Sequence, residues 1–468
     1  MTELAFLSAA EQAALVRNKE VSPVELTELY LDRIDKLDGD VNAWVTVVPE
    51  MALETAREAE AAVASGDELG PLHGVPISIK DLNETAGIKT TFSSKAFADF
   101  VPDWDCSTVT RIKGAGAVIL GKTNTPEFGT PPATESELNG ACRNPWNLDL
   151  SPGGSSGGAA AALAAGMCPI SQGSDGGGSI RIPSSVCGLF GIKPARGRVS
   201  HAPLMGDALN GLSTDGPIAR TVRDAALLLD VMEGYETGDP YWAPPPQRPF
   251  VEEVGADPGK LRIAFTAQTP NGEEVHPDCV VAMEGAAKLL QSLGHSVEEA
   301  APDWFHPELV HYFVTVWQAA YGYHQVPLEQ LEPLNRALAE TALQSTSPDY
   351  TRAVMELQAI SRKIVALWDD YDVLLTPTLA LPPRPVGWML GEEDPWVGFA
   401  KAGAFTPFTP VINVTGQPAV SVPLHWSDDN LPIGVHLIGR PADEATLIRI
   451  SSQLEEARPW KDRRPPVS

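Results

Sequence analysis

The sequence predicts an α/β fold. Short apolar runs bounded by glycine or proline, such as Val75–Ile79 and Leu189–Ile192, alternate with longer stretches of helical periodicity. The alternation continues along the whole chain, which favours strands and helices packed in layers. With 468 residues, 43% of them hydrophobic and 20% charged, there is ample material for a large core. Length alone would allow about three domains.

The elements follow in order. Ser8-Ala9-Ala10-Glu11 and Ser22-Pro23-Val24-Glu25 each place glutamate three residues after serine, the capping-box pattern that opens a helix. The second also has proline at the first helical position. Leu26, Leu29, Tyr30, Ile34 and Leu37 then share one helical face. A third helix is expected from Glu50 to Ala64, stopping near Gly66. Val75–Ile79 reads as a buried strand ending at Lys80, and Ala117–Leu120 as a second, after a helix carrying Val109 and Ile112. Ala159–Ala165 predicts a closely packed helix; Cys168–Ser171 and Leu189–Ile192 predict strands. Thr221, with Asp224 three residues on, caps a helix through Met232.

Five prolines between Pro240 and Pro249 mark the one obvious connector. Beyond it come a strand at Leu261–Phe265 and an amphipathic helix at Val280–Leu293. Residues 300–400 read as helical and rich in aromatics, among them Trp304, Phe313, Trp317, Tyr321 and Tyr323. Strands at Val373–Leu375, Ala419–Val422 and Ile433–Leu437 precede a final helix at Glu444–Glu455.

Charge narrows the function classes. Lys plus Arg number 34 against 61 Asp plus Glu, a formal charge of −27. That balance argues against sequence-independent nucleic-acid binding and against anionic membrane contact. Met1-Thr2-Glu3 lacks the basic start of a secretory leader, and no run reaches transmembrane length, so a cytoplasmic location is expected. Cys106, Cys142, Cys168, Cys187 and Cys279 form no CxxC pair and read as buried free thiols, with no metal site expected.

The stretch around which the chain is organised is Leu150–Lys193. Two Gly/Ser clusters, Gly153–Gly158 and Gly173–Ser179, flank the alanine-rich helix. A flexible linker would not be followed by Ile180, Ile182, Val186, Leu189, Phe190 and Ile192. Glycine here brings backbone close to a ligand. Gly176, Gly177 and Gly178 can present successive N–H groups to a developing negative charge, with the Ser179 hydroxyl beside them. A serine nucleophile needs a base, and no histidine lies near in sequence. Lys80 ends an apolar strand, where desolvation lowers a lysine pKa. Read from the residues alone, other roles stay open: Lys80 paired with Asp81, Ser155 as a loop serine, Ser179 as a helix N-cap. Gly153-Gly154-Ser155-Ser156-Gly157 also satisfies the G-x-S-x-G elbow of an α/β-hydrolase esterase, with Ser155 as nucleophile. That elbow needs a strand just before it, and Asn144–Pro152, with two prolines, is a poor one.

Three motifs stand in order: Gly153–Gly158 (GGSSGG), Gly173–Pro183 (GSDGGGSIRIP) and Cys187–Pro194 (CGLFGIKP). With Gly74–Asp81 upstream, and Asn413–Ala419 and Pro432–Arg440 downstream, the chain resembles the amidase signature family of Ser-Ser-Lys hydrolases. The resemblance implies one domain over residues 1–468, an α/β/α sandwich around a large mixed sheet. It implies Ser179 as nucleophile, Ser155 as proton relay after a cis Gly154–Ser155 bond, and Lys80 as base. It assigns the oxyanion hole to the N–H groups of Gly176, Gly177, Gly178 and Ser179, with Asp175, Arg181 and Ser156 in support. Such a hydrolase needs no cofactor. Its partner is a small amide or carbamate, with hydrophobic or aryl substrates favoured by the aromatic 300–400 region, including Trp388 and Trp396. A homodimer is the protein association allowed for. The glutaminase subunit of a tRNA-dependent amidotransferase resembles the same family and is the alternative. One departure stands out. The position after Asp175, often β-branched or serine in such enzymes, is Gly176, which suggests a looser loop or a roomier acyl pocket.

Overall fold

A computed structural model describes residues 2–468. Eleven strands form one mixed sheet, numbered here in chain order. They are β1 (Trp44–Val47), β2 (Pro76–Lys80), β3 (Val118–Thr123), β4 (Ile170–Asp175), β5 (Phe190–Lys193) and β6 (Thr214–Ala219). After the proline-rich connector come β7 (Arg262–Phe265), β8 (Ser296–Glu299), β9 (Val373–Pro377), β10 (Ala419–Trp426) and β11 (Pro432–Gly439). Across the sheet the order is β1-β3-β2-β4-β6-β5-β10-β11-β9-β7-β8. Strands on both sides of the connector therefore share one sheet. The central neighbours β2 and β4 run parallel, with Ser78 opposite Ser171, whereas β4 and β6 run antiparallel in register from Ile170↔Ala219 to Asp175↔Thr214.

Side-chain alternation along the strands builds a core on each face. Ile77, Ile79, Ile119, Ile263, Val373, Leu375, Val420 and Leu437 enter one core. There they meet the helices Val222–Met232, Pro277–Ser292 and Glu444–Ala457. Val118, Leu120, Ala264, Leu374, Ala419 and Ile438 project to the other face, towards Pro23–Val41, Gly157–Ala164 and Ser347–Val365. The result is helix, sheet and helix in three layers, the fold class the sequence predicts.

Local signals explain the ends of the elements. Ser8 and Ser22 both close reciprocal capping boxes, with Glu11 and Glu25. Thr221 caps its helix through the Asp224 N–H, and the Asp224 carboxylate in turn accepts the N–H groups of Ala9 and Ala10, docking the first capped helix. Three strands escape the sequence reading. β1 and β8 have four residues each. β6 carries Gly216 and Pro217, residues that weaken strand propensity, yet it sits buried between β4 and β5.

Candidate active site

The site forms where β2 and β4 end side by side. Lys80 is the last residue of β2, and Asp175 is the last of β4. Parallel pairing sends both chains out on the same edge of the sheet. The turn after β4 carries Ser179. The loop before the helix Gly157–Ala164 carries Ser155, across a cis Gly154–Ser155 bond. A Cβ on Gly158 would sit 2.4 Å from the backbone nitrogen of Asn124, so only glycine lets this helix start against β3's exit.

Lys80 Nζ donates to Ser155 Oγ at 2.8 Å and to Ser174 Oγ at 3.0 Å. Ser155 Oγ donates to Ser179 Oγ at 2.9 Å. One unbroken chain thus joins an amine and two hydroxyls, with 75 residues from Lys80 to Ser155 and 24 more to Ser179. Asp81 does not pair with Lys80; its carboxylate accepts from the N–H and hydroxyl of Thr91. Nor does Ser179 cap the following helix, which spans Arg181–Cys187 with Ile180 at its cap. Ser156 ties the two loops together: its N–H donates to the Ser179 carbonyl at 3.2 Å and its hydroxyl to the Ser174 carbonyl at 3.1 Å.

Burial pushes the Lys80 amine down to about 7, while the Asp215 and Asp175 carboxylates pull the other way. Asp215 connects to the strand end through a relay. Asn83 Nδ2 donates to its Oδ2 at 2.6 Å, Gln172 Nε2 donates to Asn83 Oδ1 at 3.1 Å, and the Lys80 N–H donates to Gln172 Oε1 at 3.0 Å. A lysine near 7 is half neutral at neutral pH and can accept a proton.

Asp175 and Arg181 form a fully buried ion pair at 2.8 Å. Burial alone would raise the Asp175 carboxyl, but the Arg181 charge, with Lys193 and Asn413, holds it well below the usual carboxylate range. The same carboxylate accepts the N–H groups of Gly178 at 2.8 Å and Ile180 at 3.1 Å. Of the four amides expected to line an oxyanion hole, that of Gly178 thus donates to Asp175. The amides of Gly176, Gly177 and Ser179 make no hydrogen bond to other described residues. Gly178 matters through its backbone instead. It lies at φ +126, and a Cβ there would meet Thr409 Oγ1 at 2.3 Å. Thr409 Oγ1 also donates to the Gly177 carbonyl at 2.8 Å, fixing the loop from outside.

A cavity of about 380 Å³ reaches Gly177 and Ser179 and is walled by Ile182, Phe313, Val314, Trp317, Phe399, Val411 and Val414. The apolar cleft expected of the 300–400 region is therefore present, but only part of that region builds it. Trp388 packs edge-on against Phe405 and lines a different, minute cavity; Trp304 is buried against Phe408; Trp396 lies against Phe399, outside the lining. Gly176 does not open the pocket either. A Cβ there would fall 3.1 Å from Trp317 and 3.2 Å from Leu209, so the space left by the missing side chain is filled by these two residues.

No strand precedes Gly153, as an esterase elbow requires; Asn144 and Leu150 close a turn instead. Three histidines make other contacts. His201 Nε2 meets the Ser213 carbonyl, His276 caps a helix, and His436 contacts Arg181 and Thr376. Sequence reasoning missed Ser174, Gln172, Asn83, Asp215 and Thr409 as members of this constellation. Ser174 and Gln172 carry the alternation signal of a strand edge facing Lys80, but only the β2–β4 pairing shows which residue they face.

The Amidase family model matches residues 25–448. A putative amidase of Synechocystis sp. is 41% identical over 97% of this chain and 89% of its own length. The 6-aminohexanoate-cyclic-dimer hydrolase of Paenarthrobacter ureafaciens is 37% identical over 98% of this chain and 96% of its own. A solved structure of a 6-aminohexanoate cyclic dimer hydrolase with substrate superposes with a TM-score of 0.91 at 35% identity, covering 99% of both chains.

Proposed function

The chain belongs to the amidase family, hydrolases of C–N bonds other than peptide bonds, and on that premise we propose that it works through an acyl-enzyme on Ser179. The single observation that carries this reading is the Lys80–Ser155–Ser179 chain of 2.8 and 2.9 Å contacts, anchored on a desolvated amine. With Lys80 neutral, both hydroxyls rotate so that Ser179 donates to Ser155 and Ser155 donates to the amine lone pair. Ser179 Oγ then attacks the carbonyl carbon. The tetrahedral oxygen takes the N–H groups of Gly176, Gly177 and Ser179, three preorganised dipoles. Lys80, now charged, returns a proton through Ser155 to the leaving nitrogen, and the C–N bond breaks. Water repeats the cycle on the ester and frees the acid. The same heavy atoms serve both directions, because a serine hydroxyl is donor and acceptor at once.

The substrate class we infer is a hydrophobic or aryl amide or carbamate. Its support is the apolar lining of the cavity at Ser179. The test is a hydrolysis panel of anilides, aliphatic amides, carbamates and glutamine, run on wild type and Ser179→Ala, with peptide mapping after treatment with a sulfonyl fluoride. Turnover of anilides or carbamates, its loss in Ser179→Ala, and an adduct on Ser179 are expected. An adduct on Ser155, or undiminished turnover in Ser179→Ala, would overturn the mechanism. Ammonia release from glutamine alone, with a co-purifying partner, would instead favour the amidotransferase subunit.

A further inference from the structure

Two cavities lie on either side of Thr130 and Trp317, near the end of β4. The smaller, about 380 Å³, reaches Gly177 and Ser179. The larger, about 1180 Å³, opens on Ser174 and Asp215, beside Lys80, and is lined by aromatic rings including Phe128 and Tyr321. Among the described residues, only Thr130 and Trp317 face both. Thr130 is short, so the indole supplies most of the wall. Trp317 is half-buried near the end of the helix Leu309–Gln318, with its ring 5.4 Å from that of Phe313. It rests on the glycine loop: a Cβ on Gly176 would lie 3.1 Å from two of its ring atoms. That distance is tighter than ordinary contact, so any side chain at 176 would displace the indole.

We propose that Trp317 is a specificity-determining partition, seated on Gly176, that divides the site into an acyl chamber and an amine chamber. The assignment of sides rests on Ser179 being the nucleophile and Ser155 the proton donor. The leaving nitrogen must lie towards Ser155, whose partner Lys80 is held by Ser174 at the larger chamber. The acyl group then occupies the smaller chamber, which has Glu273 as its one titratable lining residue. The preferred substrate is a compact apolar acyl group joined to a larger aromatic amine.

The test uses the full-length protein and four substrates: acetyl or octanoyl joined to p-nitroaniline or 2-naphthylamine. Wild type favours acetyl on either amine. Trp317→Ala merges the chambers, and the octanoyl-to-acetyl ratio of kcat/KM rises about tenfold, mainly through KM, a scale set by a few methylenes in an apolar pocket. Trp317→Phe keeps most of the wild-type ratio. Gly176→Ala moves the ratio in the wild-type background and moves it much less in Trp317→Ala, where only Leu209 remains to be displaced. If Trp317→Ala does not fold, Trp317→Leu carries the same comparison. Equal scaling of all four substrates by Trp317→Ala, or an equal effect of Gly176→Ala in both backgrounds, overturns the partition. Ser179→Ala reports separately on the reading beneath it: persistent turnover there removes the nucleophile assignment, whereas loss of turnover there, together with an unmoved ratio in Trp317→Ala, removes the partition alone.

Discussion

Replacing Asp215 by asparagine should move the acid limb of the pH–rate profile to lower pH. The Lys80 amine sits near 7, lowered by burial and partly restored by Asp215 and Asp175. In the proposed mechanism its neutral form is the base, so kcat/KM on an uncharged anilide should fall below pH 7, with about a tenth of the enzyme active at pH 6. Asp215 reaches the Lys80 backbone through hydrogen bonds of 2.6, 3.1 and 3.0 Å via Asn83 and Gln172. At an effective dielectric near 20, a unit charge on the order of 10 Å away is worth about 1.5 kcal/mol, or about one pH unit. Asparagine keeps the shape and removes the charge. The ammonium loses a stabilising neighbour, its pKa falls, and at pH 6 about half of the variant is neutral. Relative to each protein's own plateau, the rate at pH 6 should rise about fivefold. The assay is kcat/KM from pH 5 to 9, with thermal unfolding to show that the loss of a charge-assisted bond from Thr108 and Asn83 leaves the fold intact. A limb that stays in place, or moves up, would refute the account of Lys80 as the titrating base.

Other outcomes follow from the same geometry. Lys80→Ala should abolish amide turnover but reduce ester turnover less, because an alkoxide leaves without full protonation; equal losses on matched substrates count against the relay. Gly178→Ala forces an L side chain to φ +126 and into Thr409 Oγ1, so it should cost roughly 2 kcal/mol or more and lower the unfolding midpoint. Arg181→Met leaves Asp175 buried without its partner, a loss of about 3–5 kcal/mol at neutral pH. In wild type the depressed carboxyl contributes stability above its ordinary pKa of 3.8, and that contribution is lost on acidification below it. In the variant, burial raises the same carboxyl, so protonation relieves it. The gap between the two unfolding midpoints should narrow from pH 7 to pH 4.5. All five cysteines are buried and free, so a thiol reagent should label none in the native protein and five after denaturation.

Much of the fold is legible because burial acts on periodicity. The alternation of Ile77 and Ile79 with Ser78, and the capping boxes at Ser8 and Ser22, are local patterns that short-range physics enforces wherever the chain goes. β6 was not legible, since Gly216 and Pro217 look like a turn and become a strand only between two waiting edges. The roles of Trp388 and Trp396 were not legible either, because an aromatic side chain serves a core or a cleft equally well until its neighbours are known.

The sequence by itself determined the α/β layering and singled out Lys80, Ser155 and Ser179 as candidates. They sit in motifs whose order resembles one family, although each residue taken singly had another reading. What only the tertiary structure decided is how those groups meet. Parallel pairing of β2 with β4 sets the amine against Ser174 and Ser155, the Asp175 carboxylate withdraws the Gly178 amide from the loop, and an indole from a helix about 140 residues downstream fills the space above Gly176. Hydrogen bonds and van der Waals contacts act over a few ångströms. They depend on which strands lie side by side, and that is settled by the packing of the whole sheet rather than by any stretch of the chain.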